Sequence, residues 1–252
     1  MKSLKQILIK ICHRVYPQKK TDLILIMSHM RSGSSLLEHI LSTNDQILGI
    51  GEQNRIYRNK TDLELIEYRA RWVLKKFLKR YKYSVDQILH SEYISDRSIL
   101  KDNSIKCIFL IRKPMETISS IENLGGYPYN INNRGKFNSI NYYNKRVSEL
   151  IQISRLIPAN SQFFLTYNEL ISKPDETLQS LRDFLELKTP LTKEYKLKPT
   201  TGKMGDRSEN IKAGTIILTK SKTIKLGKEI CSKLVANYKK AYNYFNFKQL
   251  LI

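Results

Sequence analysis

The sequence predicts an α/β fold of three layers, a central and mostly parallel sheet flanked by helices, on three observations. Short, nearly continuous apolar runs stand at 22–28 (DLILIMS) and 105–111 (IKCIFLI), the pattern of strands buried on both faces. Each passes through a turn into apolar residues at helical spacing. A third run, QFFLTYNEL from Gln162, leads to Pro174 and another helical stretch.

Taken in order, residues 3–15 read as an amphipathic helix, with Leu4, Ile7, Leu8, Ile11 and Val15 on one side. Lysines and a histidine interrupt its apolar part and no small-residue cleavage site follows, which argues against a signal peptide and leaves contact with an anionic membrane surface open. The strand 22–28 then turns into a helix at 35–41. A long helix is expected at 62–80, with Leu63, Ile66, Ala70, Val73 and Phe77 on one face and Trp72 packed beside it. The stretch DQILHSEY reads as helical, with Asp86 four residues ahead of His90. After the strand at 105–111, RKPMETISSIENL turns into a helix, and YPYNINNRGKFNS reads as an active-site loop or lid, or as plain surface loop. A helix at 139–156 precedes the third strand, which runs toward Tyr167. Pro174 opens a helix ending near Leu187, a glycine-containing loop occupies 201–214, and a basic helix is expected at about 219–243. No repeat or linker divides the chain, so residues 1–252 are expected to form one domain.

Composition narrows the function classes. A formal net charge of +21 implies an anionic partner: nucleic acid, anionic lipid, an acidic glycan or a phosphate-rich cofactor. Many of the 15 tyrosines neighbour Asn, Lys and Ile, which suits base stacking or a general compositional bias. Three scattered cysteines, Cys12, Cys107 and Cys231, suggest neither a disulfide framework nor a metal motif, and point to a reducing, cytoplasmic setting. No apolar run approaches the roughly 18 residues of a membrane span.

The segment SHMRSGSSLLEHIL, 28–41, joins the first strand to its helix through a tight loop. Gly33 permits close backbone approach, and the first helical turn offers unbonded N–H groups toward whatever the loop encloses. The helix dipole and the hydroxyls of Ser32, Ser34 and Ser35 strengthen this anion cradle, and Arg31 adds a fixed fork of donors. The arrangement is P-loop-like, yet the G-x-x-x-x-G-K-[ST] pattern is absent, which disfavours ATP or GTP hydrolysis. A serine-rich helix cap with a surface arginine is the plain alternative. Arg112 ends the next strand and Ser120 stands eight residues later, so the two could grasp a phosphate from two sides. Two strand-end anion sites in one sheet suit a nucleotide phosphorylated at both ends of its ribose.

RSGSSLL at 31–37 resembles the loop by which sulfotransferases bind the 5′ end of 3′-phosphoadenosine-5′-phosphosulfate (PAPS). The R-x-P…S-S pattern at 112–120 resembles their 3′-phosphate site, and TYNELISKPDETLQSLRDFL at 166–185 resembles a later segment of the family. The resemblance implies that Arg31, Ser32, Gly33, Ser34 and Ser35 surround the 5′-phosphosulfate, that Arg112 and Ser120 hold the 3′-phosphate, and that Tyr167 lies near the nucleotide. The loop at 201–216 resembles a late loop that closes over the cofactor, with Lys203 and Arg207 available to phosphate. It lacks the G-x-x-G-x-W form of many cytosolic small-molecule members.

Sulfuryl transfer needs an acceptor hydroxyl in line, a base for its proton, and positive charge on the leaving side. GIGEQNR, 49–55, resembles the Gly-Glu step of tyrosylprotein and carbohydrate-modifying sulfotransferases, which makes Glu52 the first candidate base. His90 is the second, on its intrinsic pKa, and could instead bind substrate or cap a helix. His29, inside the cradle loop, suits packing or a phosphate contact. Arg31 would serve binding and transition-state stabilisation, and the scheme requires no metal. The expected function is transfer of the sulfuryl group of PAPS, leaving 3′-phosphoadenosine-5′-phosphate (PAP), to a hydroxyl acceptor, with a carbohydrate or glycolipid favoured over a peptide. A basic nucleic-acid-binding or scaffold protein is the alternative, and a phosphotransferase a third that lacks its lysine motif.

Overall fold

A computed structural model of the chain describes residues 21–123, 138–206, 208–218 and 225–250. Five parallel strands form one sheet: β1 (Asp22–Ser28), β2 (Ile47–Gly49), β3 (Tyr83–Ile88), β4 (Ile105–Ile111) and β5 (Gln162–Thr166), in the order β2-β3-β1-β4-β5. The helices are α1 (Ser34–Thr43), α2 (Lys60–Leu74), α3 (Pro114–Glu122), α4 (Ser139–Ser154), α5 (Tyr167–Ser172), α6 (Pro174–Phe184) and α7 (Lys228–Gln249).

The strand period of two divides the core. Leu23, Leu25 and Met27 of β1 face a layer built by Leu63 and Ile66 of α2, Val147 and Leu150 of α4, and Leu234 and Phe245 of α7. Ile24 and Ile26 face the opposite layer, where Leu37 and Ile40 of α1 meet Leu178 and Leu181 of α6. Three layers result from that alternation. Among the described residues, no helix is long and apolar enough to cross a membrane.

Several boundaries differ from expectation. Residues 83–88 are the inner strand β3, so Asp86 and His90 share no helical face. Its polar residues Asp86 and Gln87 break the apolar run that marks β1 and β4. Helix α2 ends at Leu74 because Lys75 turns left-handed, φ 55°, which leaves Trp72, Val73 and Phe77 exposed instead of packed. Tyr167 begins a helix, closed by a capping box in which Thr166 and Glu169 exchange bonds. The C-terminal helix starts at Lys228 and runs to Gln249. The expected N-terminal helix at 3–15 and most of the loop at 127–139 lie outside the described residues.

The topology fixes where a ligand would sit. From β1 the chain passes through α1 to β2 on one side, and from β4 it passes through α3 and α4 to β5 on the other. The connections diverge between β1 and β4, and a crevice at their C-terminal ends is where parallel α/β sheets bind ligands.

Candidate active site

The loop after β1 and the loop after β4 meet at that crevice. Arg31 takes a left-handed backbone, φ 60°, uncommon for a side chain with a Cβ, and Gly33 stands at φ 96° as the N-cap of α1. No side chain caps the helix, and no acidic residue stands in its first turn. Ser32 is fully buried, and its hydroxyl has no partner among the described residues. These are the features of an anion seat: uncapped N–H groups, a positive helix end and an unsatisfied buried hydroxyl. A Cβ on Gly33 would stand 2.5 Å from Cδ2 of Tyr167, so only glycine lets that ring lie against the loop.

The two expected anion sites form one cluster. Arg31 donates from Nε to Ser120 Oγ at 2.9 Å, and Arg112 donates from NH1 to the Arg31 carbonyl at 3.3 Å. The Arg112 guanidinium lies 4.0 Å from the centre of the Tyr167 ring and pairs with Glu116 at 3.1 Å. Arg31, Ser32, Gly33, Arg112, Ser120 and Tyr167 are therefore in mutual contact or adjacent in sequence. Ser34 is buried in the first turn of α1, and Ser35 carries the link to the late loop.

His29 is a clamp. Its Nδ1 donates to the Met30 carbonyl at 2.9 Å, and its Nε2 accepts from the Arg112 N–H at 3.0 Å, which fixes one neutral tautomer between β1 and β4. Burial pushes its pKa down to about 4, opposed by the bond to Met30, with Arg146 and Arg112 lowering it further. Both ring nitrogens are thus engaged by backbone groups. Three α4 residues that sequence reasoning missed fasten the same strand ends. Tyr142 accepts from Met30 N–H and donates to Leu89 O, both at 2.8 Å, Tyr143 donates to Arg112 O at 2.8 Å, and buried Arg146 donates to Ser28 O at 2.9 Å and to Ser91 Oγ at 2.8 Å. The only hint in the sequence was an arginine on an otherwise apolar helical face.

The late loop lies over the cradle. The Asp206 N–H donates to Ser35 Oγ at 3.0 Å, and a Cβ on Gly51 would collide with the Met204 carbonyl. The charged group it brings to Arg31 is an acid. Asp206 pairs with Arg31 at 2.8 Å, and although burial raises its pKa, Arg31 and Ser208 hold it below the ordinary value. The sequence had offered Lys203 and Arg207 instead. Lys203 is exposed, with its N–H on Thr200 O, and Arg207 lies outside the described residues.

Glu52 stands just after β2, buried, with its carboxyl pushed up to about 8 by burial and then by Asp86. Asp86, buried on β3, is itself pushed up to about 7 by burial, against the bonds it accepts from Tyr57 OH and from the Gln53 and Gln87 N–H groups at 3.0 and 2.8 Å. Asp86 thus holds both the segment after Glu52 and the strand end beside it. Glu38 of α1 accepts the Gly51 N–H at 3.1 Å and pairs with the partly buried Lys198 at 2.5 Å, joining the Glu52 loop, α1 and the segment that leads into the late loop. Gln87 presents a buried amide nitrogen without a partner among the described residues, close to Gly205 and Ser35.

His90 is the other candidate base. It is buried between Tyr93 and Tyr142, at ring distances of 5.2 and 5.3 Å, and burial with Arg146 pushes its pKa down to about 4. A proton acceptor at about 4 has little driving force at neutral pH, whereas a carboxylate at about 8 has much more.

Residues 103–190, from the start of β4 past α6, match the sulfotransferase family, and they include Arg112, Ser120 and Tyr167. No curated protein matches the chain in sequence. Among solved structures, the sulfotransferase domain from the curacin biosynthetic pathway is 17% identical, with 88% of this chain and 99% of that chain covered and a TM-score of 0.58. The sulfotransferase domain of the Synechococcus PCC 7002 olefin synthase is 17% identical over 89% and 96% of the two chains, with a TM-score of 0.59. A sulfotransferase from Mycobacterium avium is 11% identical over 94% and 81%, with a TM-score of 0.52. Residues 103–190 thus carry the match to the sulfotransferase family, and the solved sulfotransferases share the fold that surrounds them.

Proposed function

We propose that the protein moves the sulfuryl group of PAPS to a hydroxyl group of a carbohydrate or glycolipid, with Glu52 taking the proton. One observation carries the reading: Arg31 and Arg112 converge at the divergence of β1 and β4, beside an uncapped helix and the unpartnered Ser32 hydroxyl. That donor set fits an anionic nucleotide. Ser32, Gly33, Ser34 and Ser35 would hold the 5′ end, and Arg112 with Ser120 the 3′-phosphate. When bound, PAPS supplies an activated sulfuryl group on a phosphate leaving group.

The chain's own residues then do three things. Arg31 and the N-terminus of α1 place positive charge where negative charge grows on the leaving side. Glu52, in its ionised fraction, accepts the acceptor's proton. The loop 201–206 lies over the cradle and keeps water from it. No metal is part of this scheme. The basic charge of the chain suits an acidic glycan or an acidic peptide alike, and the carbohydrate class is taken because no sequence feature points to a peptide groove. The free thiols Cys107 and Cys231 accord with the reducing, cytoplasmic setting included in the proposal.

Calorimetric titration of PAP tests it, with 5′-AMP as control and Arg112→Ala as the variant. PAP is expected to bind more tightly than 5′-AMP, and the variant to lose about tenfold to a hundredfold of PAP affinity. A folded protein that binds neither nucleotide, yet binds nucleic acid with steep salt dependence, would replace this reading with the nucleic-acid one.

A further inference from the structure

At the opposite end of the sheet from the crevice, between α2 and β3, the chain builds a projecting loop. Lys75 turns left-handed, and buried Arg71 gathers the residues after it, donating from NH1 to the carbonyls of Lys76 at 3.0 Å, Phe77 at 3.2 Å and Lys79 at 2.8 Å. Arg71 is in turn held by Glu67 at 2.8 Å. A buried guanidinium spent on three loop carbonyls makes this a fixed conformation.

The side chains that the loop displays are apolar. Leu78 is 82% exposed, Phe77 46% and Trp72 37%, and the Trp72 and Phe77 rings pack edge to face at 6.1 Å. Single exposed apolar residues are ordinary, but a contiguous aromatic and aliphatic tip on an ordered loop is not. The charged residues of the segment itself are of one sign, although Lys82 pairs with Glu186 at 3.3 Å. Between Glu67 and Asp86 the sequence has Lys and Arg at 69, 71, 75, 76, 79, 80 and 82 and no acidic residue. The chain also enters β1 at this end, where Asp22 N–H donates to Lys82 O at 3.0 Å, and the residues before it are basic and amphipathic in sequence.

We propose that the tip formed by Trp72, Phe77 and Leu78, ringed by Lys75, Lys76 and Lys79, docks the protein onto an anionic lipid bilayer. Aromatic and leucine side chains enter the headgroup boundary while lysines meet anionic headgroups, and the two signals together exceed what either gives. The proposal does not depend on the reaction catalysed. Docked this way, the crevice faces away from the membrane, toward acceptors in solution or on long headgroups.

Trp72 is the only tryptophan, so its emission reports on this surface alone. The full chain is mixed with vesicles of phosphatidylcholine containing about 30% phosphatidylserine, and with phosphatidylcholine alone, while co-sedimentation and Trp72 emission are recorded. Expected are binding to the anionic vesicles, a blue shift of Trp72 with protection from iodide, and little of either on phosphatidylcholine. Phe77→Ser/Leu78→Ser and Lys75→Glu/Lys76→Glu/Lys79→Glu should each weaken binding about tenfold or more, with thermal melts like the wild type's, since these side chains are exposed. Co-sedimentation with unchanged Trp72 emission, unweakened binding by both variants, or no binding by the wild type would each overturn the proposal. Selective capture of an acidic protein without vesicle binding would assign the surface to that partner instead.

Discussion

Arg31 and Asp206, 175 residues apart in the chain, form an ion pair at 2.8 Å inside the anion cradle. The late loop therefore brings a carboxylate to the arginine that an anionic nucleotide would need. On the proposed function, binding would exchange one anion for another. Asp206→Ala should raise PAP affinity about fivefold, the scale of a partly exposed ion pair, and calorimetry on both proteins measures it. Unchanged or weaker binding would mean that the pair survives in the complex.

Gly33 and Tyr167 are a steric pair. Gly33→Ala forces a Cβ into a left-handed backbone and to 2.5 Å from the tyrosine ring, at a combined cost of about 2–4 kcal/mol. Adding Tyr167→Ala should remove the clash and leave the backbone cost. Thermal unfolding of the two single variants and the double separates the contributions.

The buried acids make both stability and rate depend on pH. Glu52 is raised from 4.5 to about 8 and Asp86 from 3.8 to about 7, so across that window the folded chain binds more protons than the unfolded one. Their contribution to stability is present at low pH, falls as pH rises through the window and levels off above about 8. Glu52→Gln removes one source of that fall, and urea unfolding should show it gaining on the wild type between pH 5 and 8.5. In the rate profile, Glu52→Gln should cost about 10²–10⁴-fold while leaving PAP binding intact. Asp86→Asn should move the acidic limb to lower pH by removing a neighbouring negative charge. Tyr57, Arg69, Glu38 and Tyr142 also face this pair, and the substitution also changes the acceptor of the Tyr57 hydroxyl and removes a charge facing Arg69.

Glu38 is buried and Lys198 largely so, and removing one leaves the other's charge without its partner. Glu38→Ala should cost about 3–5 kcal/mol, and Glu38→Ala/Lys198→Met should recover most of it, as read from chemical denaturation. The double variant should still turn over slowly, because the Gly51 N–H loses the acceptor that positions the Glu52 loop.

The sequence disclosed the parts of this protein that obey one rule. Strands β1 and β4 were legible as unbroken apolar runs, and the cradle as a serine- and glycine-containing turn between a strand and a helix. Strand β3 was hidden because its end carries Asp86 and Gln87, polar residues that serve the site instead of the core. The end of α2 was hidden because the helical spacing of apolar residues continues through RWVLKKFLKR, while the stop comes from the backbone of Lys75. Asp206 escaped notice because an anion site prompts a search for cations. His29, Tyr142, Tyr143 and Arg146 act through strand-end backbone groups, which no spacing rule marks.

Arg31 spans both halves of the cradle: its carbonyl receives Arg112, and its guanidinium rests on Ser120. On the proposed function, selectivity takes the form of a conjunction. A ligand with only a 5′ group draws Arg31 from Ser120 and leaves that hydroxyl unanswered, whereas one with only a 3′ group competes with Arg31 for Ser120 while the helix end stays unfilled. Only a ligand charged at both ends would satisfy every donor at once, so discrimination against abundant monophosphates would be a property of one shared side chain and not of either half alone.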